Sequence, residues 1–201
     1  FLTNTPAAGQ LYFRLENNDI SPFNRISVFT TVGGLNEGKR HHAIITYNGS
    51  STAAGVIIYI DGAAVTKTIE SNGDTLTQTT ISDADLTISG AFSGGLEHCS
   101  VWNKTLSAGE VLEVFGNGTP PNLLATSMAA NLVGWWKVDG SDNLSSAGGV
   151  IDYSTGGHNG SGSGNIQYYT PTLTRFPVLA TSMPSIMAGP RQYNAFPNES
   201  I

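Results

Sequence analysis

Charged side chains are scarce in this chain. Aspartate, glutamate, lysine and arginine make up 12% of its 201 residues, and the formal net charge is −6. So low a charge content excludes a coiled coil and a charged disordered chain. The few lysines and arginines form no basic stripe along the sequence. Because binding to a phosphate backbone needs clustered cations, we predict no nucleic-acid partner.

Cysteine and long apolar runs are lacking as well. Cys99 has no second cysteine to pair with inside the chain, and we predict that it is a buried, unreactive thiol. No apolar run reaches the roughly 20 residues that a membrane-spanning helix needs, so we predict no membrane partner. The sequence opens at Phe1 with neither a methionine nor a signal peptide, which we interpret as a processed or truncated product.

Glycine is abundant, at 24 residues, together with serine, threonine and asparagine, which suits short strands joined by tight turns. Apolar stretches that alternate or are rich in β-branched residues predict strands, and Asp61-Gly62 predicts a hairpin turn. Loops are predicted at 17–19 and 71–74. The predicted strands cover residues 11–15, 25–32, 41–47, 55–60, 64–69, 75–81, 86–89, 96–102 and 132–138.

One helix is predicted after the strand that ends in Trp102-Asn103. Ser107 and Glu110 have the spacing of a capping box, in which each side chain satisfies a backbone donor of the first turn. Apolar residues between Val111 and Phe115 give the helix a buried face, and Gly116 can end it. A helix of two to three turns is too short to be stable unless it packs on the rest of the protein.

The composition changes after Pro120-Pro121, and we predict three regions. A β-sandwich covers residues 1–118, and an additional strand with a Gly/Ser-rich segment covers 119–165 and packs on the sandwich or on a neighbour. A proline-rich extended arm covers 166–201. The pentapeptide L-A-T-S-M occurs in the second region and again in the third, which hints at two similar local contacts.

Three motifs lie in order between Gly38 and Leu112: G-K-R-H-H-A-I-I-T-Y-N-G-S, then I-I-Y-I-D-G, then F-S-G-G-L-E-H-C-S-V-W-N-K-T-L-S-A-G-E-V. They resemble the W-H-H-V-A-x-T-Y-D-G-S strand, the x-L-Y-V-D-G hairpin and the closing strand and helix of laminin-G-like, concanavalin A-like domains. Lys39-Arg40 stands where that family usually has tryptophan. The resemblance implies an all-β fold, an antiparallel jelly-roll β-sandwich.

The opening strands of that family, with their S-F-D-G-x-x-x-Y motif, have no counterpart before Leu11. We therefore expect an N-terminally incomplete sandwich. The absent strands would come from upstream sequence, from the later segment of this chain or from another chain, because a jelly roll with an open edge is not stable alone.

A later segment reads N-L-V-G-W-W-K-V-D-G and then I-D-Y-S-T-G-G-H-N-G-S. It is similar to a stretch that follows the sandwich in laminin-G-like proteins of tailed bacteriophages, and also to the opening of other such domains. The resemblance implies a virion structural protein, a decoration or minor capsid protein on the particle surface. Its partners would be other virion proteins and further copies of itself.

A second function remains open, that of a carbohydrate-binding module of a phage tail fibre or of a secreted or cell-surface adhesin, with surface glycans as partners. Exposed aromatic rings serve either function. Because neighbouring strand residues point to opposite faces, we expect one ring of Trp135-Trp136 to face the core and the other to face outward. The candidate interface or glycan-stacking residues are Trp135, Trp136, Tyr168, Tyr169, Phe176, Tyr193 and Phe196.

Catalytic and metal-binding patterns are not recognisable in the sequence. The E-x-D-x-x-E strand of concanavalin-like glucanases is absent, as is a G-x-S-x-G elbow, so we predict that the protein is not an enzyme. His41-His42 is predicted to be structural, since adjacent strand residues diverge. We predict no cofactor. Calcium is the alternative left open, with Asp83, Asp85 and Glu97 as its possible ligands.

Overall fold

Strands dominate the computed structural model, which describes residues 9–18, 24–31, 33, 35, 38–77 and 95–162. In these ranges it has eight strands and one α-helix, with short 3-10 turns at 53–55, 116–118, 123–125 and 129–131. The elements are β1 (Tyr12–Asn18), β2 (Asn24–Thr30), β3 (Ala43–Tyr47), β4 (Val56–Ile60), β5 (Ala63–Val65), β6 (Lys67–Thr75), β7 (Cys99–Trp102), α1 (Ala108–Phe115) and β8 (Leu132–Trp136). No helix of the described residues is long and apolar enough to cross a membrane.

Two antiparallel sheets face each other. Among the described residues one sheet has the strand order β1-β2-β6 and the other the order β3-β4-β5. Alternate apolar side chains of both sheets meet in a shared core, where Val28 of β2 and Ile58 of β4 are fully buried. This is the β-sandwich that the motifs predicted.

The opposite face of the β3-β4-β5 sheet is covered as well. Tyr59 points away from the shared core and packs with Val111 and Val114 of α1 in a second core. The other buried members of this second core are Leu106, Leu123, Met128, Leu132 and Trp135. Residues 95–162, which carry β7, α1 and β8, therefore close the outer face of the sheet, and we name them the closing unit.

Within the closing unit β8 pairs antiparallel with β7. Cys99 lies opposite Trp136, and Val101 lies opposite Gly134. The N-terminally incomplete sandwich stays a prediction. The structure shows that the later segment of the chain places one strand beside the closing strand of the sandwich.

The two strongest local predictions are confirmed. Asp61 and Gly62 have φ angles of 51° and 80°, the left-handed pair of a two-residue hairpin turn, and they connect β4 to β5. At the start of α1, the Ser107 side chain accepts a bond from the Glu110 amide while the Glu110 carboxylate accepts one from the Ser107 amide. Hydrogen bonds from Lys104 and Ser107 lower the pKa of Glu110 to about 2.

Two predictions in the middle of the chain are wrong. The strand predicted over 64–69 is divided at Thr66, where the chain leaves one sheet as β5 and enters the other as β6. The loop predicted at 71–74 belongs to β6. The register between β2 and β6 shifts between Ile26 and Val28, and a Cβ atom on Gly73 would lie 2.6 Å from the Ser27 Cβ. Residues 71–74 therefore form a bulge within β6, opposite β2.

The remaining differences concern the ends of the strands. Asn17 and Asn18, predicted as part of a turn, continue β1 through an irregularity after Glu16. The predicted strand 86–89 and most of 75–81 lie outside the described residues, as does the arm at 166–201. The three domain boundaries stay a prediction.

Candidate functional site

Both rings of the Trp135-Trp136 pair are buried, with 3% and 8% of their surface exposed. The prediction of one inward and one outward ring is therefore wrong. Trp135 enters the second core. Trp136 lies back along its own strand, where a Cβ atom on Gly134 would come within 2.3 Å of the Trp136 ring. Gly134, which has no side chain, therefore leaves the space that the Trp136 indole occupies on β8.

A buried carboxylate fixes the tryptophan strand to the following loop. Asp152 accepts hydrogen bonds from the backbone amides of Trp135 at 2.9 Å, Ser154 at 2.8 Å and His158 at 2.8 Å. The Trp136 indole N–H donates to the His158 carbonyl at 2.8 Å. We name this arrangement the Asp152 clamp. Burial raises the pKa of Asp152, but the amide donors outweigh it and the net pKa is lowered.

A polar and aromatic cluster lies where β8 ends. The Lys137 ammonium lies 4.0 Å from the centre of the Tyr153 ring and 5.0 Å from that of Trp135, within the range of cation–π attraction. No carboxylate of the described residues forms an ion pair with Lys137. Its charge therefore remains available to a ligand.

Asp139 and Ser141 complete this cluster. The Ser141 amide donates to Asp139 Oδ1 at 2.9 Å, and the Ser141 hydroxyl lies 3.0 Å from the Tyr153 hydroxyl. The bonds from Ser141 lower the pKa of Asp139. Asp139 Oδ2 has no hydrogen-bond partner among the described residues. Lys137, Asp139, Ser141 and Tyr153 form what we name the Lys137 cluster, which combines a free cation, a free acceptor and an aromatic ring.

The backbone beside the Lys137 cluster is strained. His98 and Val138 have φ angles of 54° and 51°, which are unfavourable for a residue other than glycine and most of all for a β-branched one. The two residues are neighbours across the strand pair, because the His98 amide donates to the Lys137 carbonyl at 3.0 Å. Strained positions of this kind occur at binding sites more often than elsewhere.

The ionisable groups next to the Lys137 cluster are His98 and Glu97. Burial lowers the pKa of His98, and its ring packs against Trp135 at a centroid distance of 6.2 Å. Glu97 pairs with Arg40 at 2.6 Å. A calcium site at Asp83, Asp85 and Glu97 stays a prediction, because the two aspartates lie outside the described residues.

His41 and His42 diverge as predicted. His41 Nδ1 lies 2.8 Å from Asp61 Oδ2, whereas the His42 ring packs on Phe115 at 5.5 Å. Cys99 is partly buried, and burial raises the pKa of its thiol. In the described part of the chain no three histidine, cysteine, aspartate or glutamate side chains are grouped to hold a metal ion.

The predicted site residues are only partly placed by the structure. Trp135 and Trp136 contribute to a folded core in the chain by itself, and their role at an interface or glycan site stays a prediction. Tyr168, Tyr169, Phe176, Tyr193 and Phe196 lie outside the described residues. Sequence reasoning missed Lys137, Asp139 and Tyr153. The signal for them was the polar K-x-D pattern directly after the tryptophan pair.

Comparison with protein families gives one match. A family model of the laminin-G type, described as the concanavalin A-like lectin/glucanases superfamily, matches residues 1–112. The match takes in the two facing sheets, β7 and the first half of α1. Comparison with curated proteins and with solved structures gave no match.

Proposed function

Because the chain belongs to the concanavalin A-like lectin/glucanases superfamily, we propose that it is a non-catalytic surface protein of a tailed-phage particle, bound to other virion proteins as a decoration or minor capsid protein. The observation that supports this is the closing unit. The tryptophan segment that follows the sandwich in phage proteins is here paired with β7 and buried in the second core. Sandwich and segment therefore form one folded body.

The closing unit also offers apolar surface for protein contacts. Leu112 of α1 and Leu124 expose 55% and 46% of their surface. Exposed apolar side chains contribute to binding when a partner covers them. In the proposed function they pack against neighbouring proteins of the particle.

The test is the location of the protein in purified particles. Density-gradient particles are analysed by mass spectrometry, and antibodies against residues 95–162 are applied to intact particles in the electron microscope. We expect a constant number of copies per particle and labelling of the outer surface. Detection only in the lysate of infected cells, and never in particles, would contradict the proposal.

The Lys137 cluster favours a second function, glycan binding at the particle or cell surface. A sugar presents hydroxyl groups that both donate and accept, and an apolar face that stacks on an aromatic ring. Lys137 Nζ can donate, Asp139 Oδ2 can accept, and the Tyr153 ring is half-buried beside them.

We expect Lys137→Gln and Tyr153→Ala each to weaken glycan binding at least tenfold, which corresponds to about 1.4 kcal/mol. A glycan array identifies the strongest ligand, and its affinity for each variant is then measured by calorimetric titration. Lys104→Gln is the matched control, because it removes the same charge at the opposite end of β7, where Lys104 binds Glu110. Absence of any glycan ligand, or equal affinities for all variants, would exclude this function.

A further inference from the structure

Three consecutive residues lie where the sandwich meets the closing unit. Arg40 forms an ion pair with Glu97 just before β7. His41 binds Asp61 in the turn between β4 and β5. His42 packs its ring on Phe115 at the end of α1. We name Arg40, His41 and His42 the clasp, because each residue contacts a different element.

The His42 ring faces the end of α1 with one of its nitrogens. Its Nδ1 atom is buried and has no hydrogen-bond partner. A neutral imidazole tolerates this, because Nδ1 can carry the lone pair while the proton stays on Nε2. In the protonated ring both nitrogens must donate. Protonation therefore creates a buried, charged donor without an acceptor, which is costly in an apolar contact.

The helix end leaves the His42 ring little room to adjust. A Cβ atom on Gly62 would lie 2.8 Å from Phe115 Cδ1 and 3.0 Å from Leu112 Cδ2, so α1 rests directly on the hairpin turn. Movement of the end of α1 would admit water to the buried Nδ1 atom of the protonated ring. Protonation of His42 therefore weakens the contact between its ring and Phe115.

The charged groups around His42 do not offset the cost of protonating its ring. Asp61 is the acid that faces it from the hairpin turn, and both oxygens of Asp61 are engaged, by the His42 amide and by His41. The residues that α1 turns toward this contact, Leu112 and Phe115, are apolar. Glu113 of α1 instead binds the amide and the hydroxyl of Ser127, both at 2.7 Å.

We propose that protonation of His42 releases the C-terminal end of α1 from the Asp61-Gly62 turn, so that mild acid opens the closing unit and exposes the outer face of the β3-β4-β5 sheet. This makes the clasp an acid-sensitive device, independent of which ligand or partner the protein binds. Burial lowers the pKa of His42 from its ordinary 6.5, against an opposing effect of Asp61. A lowered pKa in the folded state means that the contact is fully stable above pH 6.5 and weakens as the pH falls below it.

Hydrogen exchange of the full chain tests the proposal. After correction for the intrinsic exchange rate, we expect the amides of α1 to open roughly threefold to tenfold more often at pH 5 than at pH 7.5. His42→Phe retains a ring against Phe115 and cannot be protonated, so its α1 should show no such change. His158→Gln, at an exposed histidine, should behave like the unchanged protein.

Two results would overturn the proposal. One is an equal response of α1 to pH in His42→Phe and in the unchanged protein. The other is a response spread evenly over β1, β2 and β4, which indicates global unfolding. A titration of the unchanged protein by NMR gives a readout that needs no variant. There the His42 ring must titrate below 6.5, and a value at or above this would also contradict the proposal.

Discussion

Replacement of Gly134 by alanine is expected to lower the free energy of unfolding by about 3 kcal/mol. The added methyl group would lie 2.3 Å from Cη2 and 2.9 Å from Cζ2 and Cζ3 of Trp136, far inside van der Waals contact. The indole cannot simply turn away, because it is 8% exposed and its N–H is bound to the His158 carbonyl. The new side chain therefore displaces Trp136 from its position or forces β8 away from β7.

Urea unfolding followed by tryptophan fluorescence measures this loss. The emission of the folded variant should also shift to longer wavelength, because Trp136 gains contact with water. Gly109→Ala in α1 is the matched control, since nothing lies within 4 Å of the added atom. There the better helix propensity of alanine should stabilise the protein by about 0.5 kcal/mol. Equal stability of Gly134→Ala and the unchanged protein would show that Trp136 does not lie across Gly134.

Removal of the Asp152 carboxylate is expected to have a still larger effect. Asp152→Ala leaves the amides of Trp135, Ser154 and His158 without their acceptor. The Trp135 amide is buried, and a buried donor without a partner costs about 1–3 kcal/mol, while the two part-buried amides add less. We expect a total loss of about 4 kcal/mol and the release of the loop that covers Trp136. Asp152→Asn retains one oxygen in the same place, so its loss should be about half as large.

The dependence on pH separates this role from a general packing effect. The pKa of Asp152 is lowered in the folded state, despite a burial effect that raises it, because backbone amides donate to the carboxylate. The stabilisation is therefore fully present above the ordinary pKa of 3.8 and is lost as the pH falls through the lowered value.

Urea unfolding at pH 7 and at pH 3 should show a smaller difference for Asp152→Asn than for the unchanged protein. Asp139→Asn is the control, since Asp139 is partly exposed and its weakened bonds to Ser141 should cost less than about 1 kcal/mol. If the two substitutions reduce stability equally, the Asp152 clamp contributes nothing beyond a surface turn.

Sequence patterns predicted the structure correctly where a few neighbouring residues determine the conformation. The Asp61-Gly62 turn needs two left-handed residues and the start of α1 needs a capping pair, and both requirements are visible within four residues of sequence. The sandwich itself was implied by the resemblance of three motifs to laminin-G-like domains. At the turn and at the start of α1, neighbouring residues suffice to decide the conformation.

Other features depend on residues far apart in the sequence. Nothing near Thr66 indicates that the chain changes sheets there, because the change is decided by pairing of β6 with β2. The glycine at position 73 looked like part of a loop, yet it lies against Ser27. The Trp135-Trp136 prediction failed because strand alternation takes no account of Gly134, which lets a large ring lie along its own strand.

The Lys137 cluster could not be predicted from the sequence for the same reason. Lys137 and Asp139 follow β8 directly, but Tyr153 comes from beyond the turn-rich stretch that follows. The Asp152 clamp is what brings Tyr153 back to the strand, through a bond from the Tyr153 amide to the Trp135 carbonyl at 2.7 Å. A site assembled by a clamp can be predicted only once the clamp is known.

The closing unit also determines when the protein can finish folding during its synthesis. Tyr59 leaves the ribosome well before Leu132 and Trp135, the side chains that later share the second core with it. At about 5–20 residues per second, this interval lasts roughly 4–15 seconds. For that time the outer face of the β3-β4-β5 sheet is apolar and open on the nascent chain. Chaperones that recognise such surfaces therefore have a defined period in which to bind, and it ends when β8 emerges.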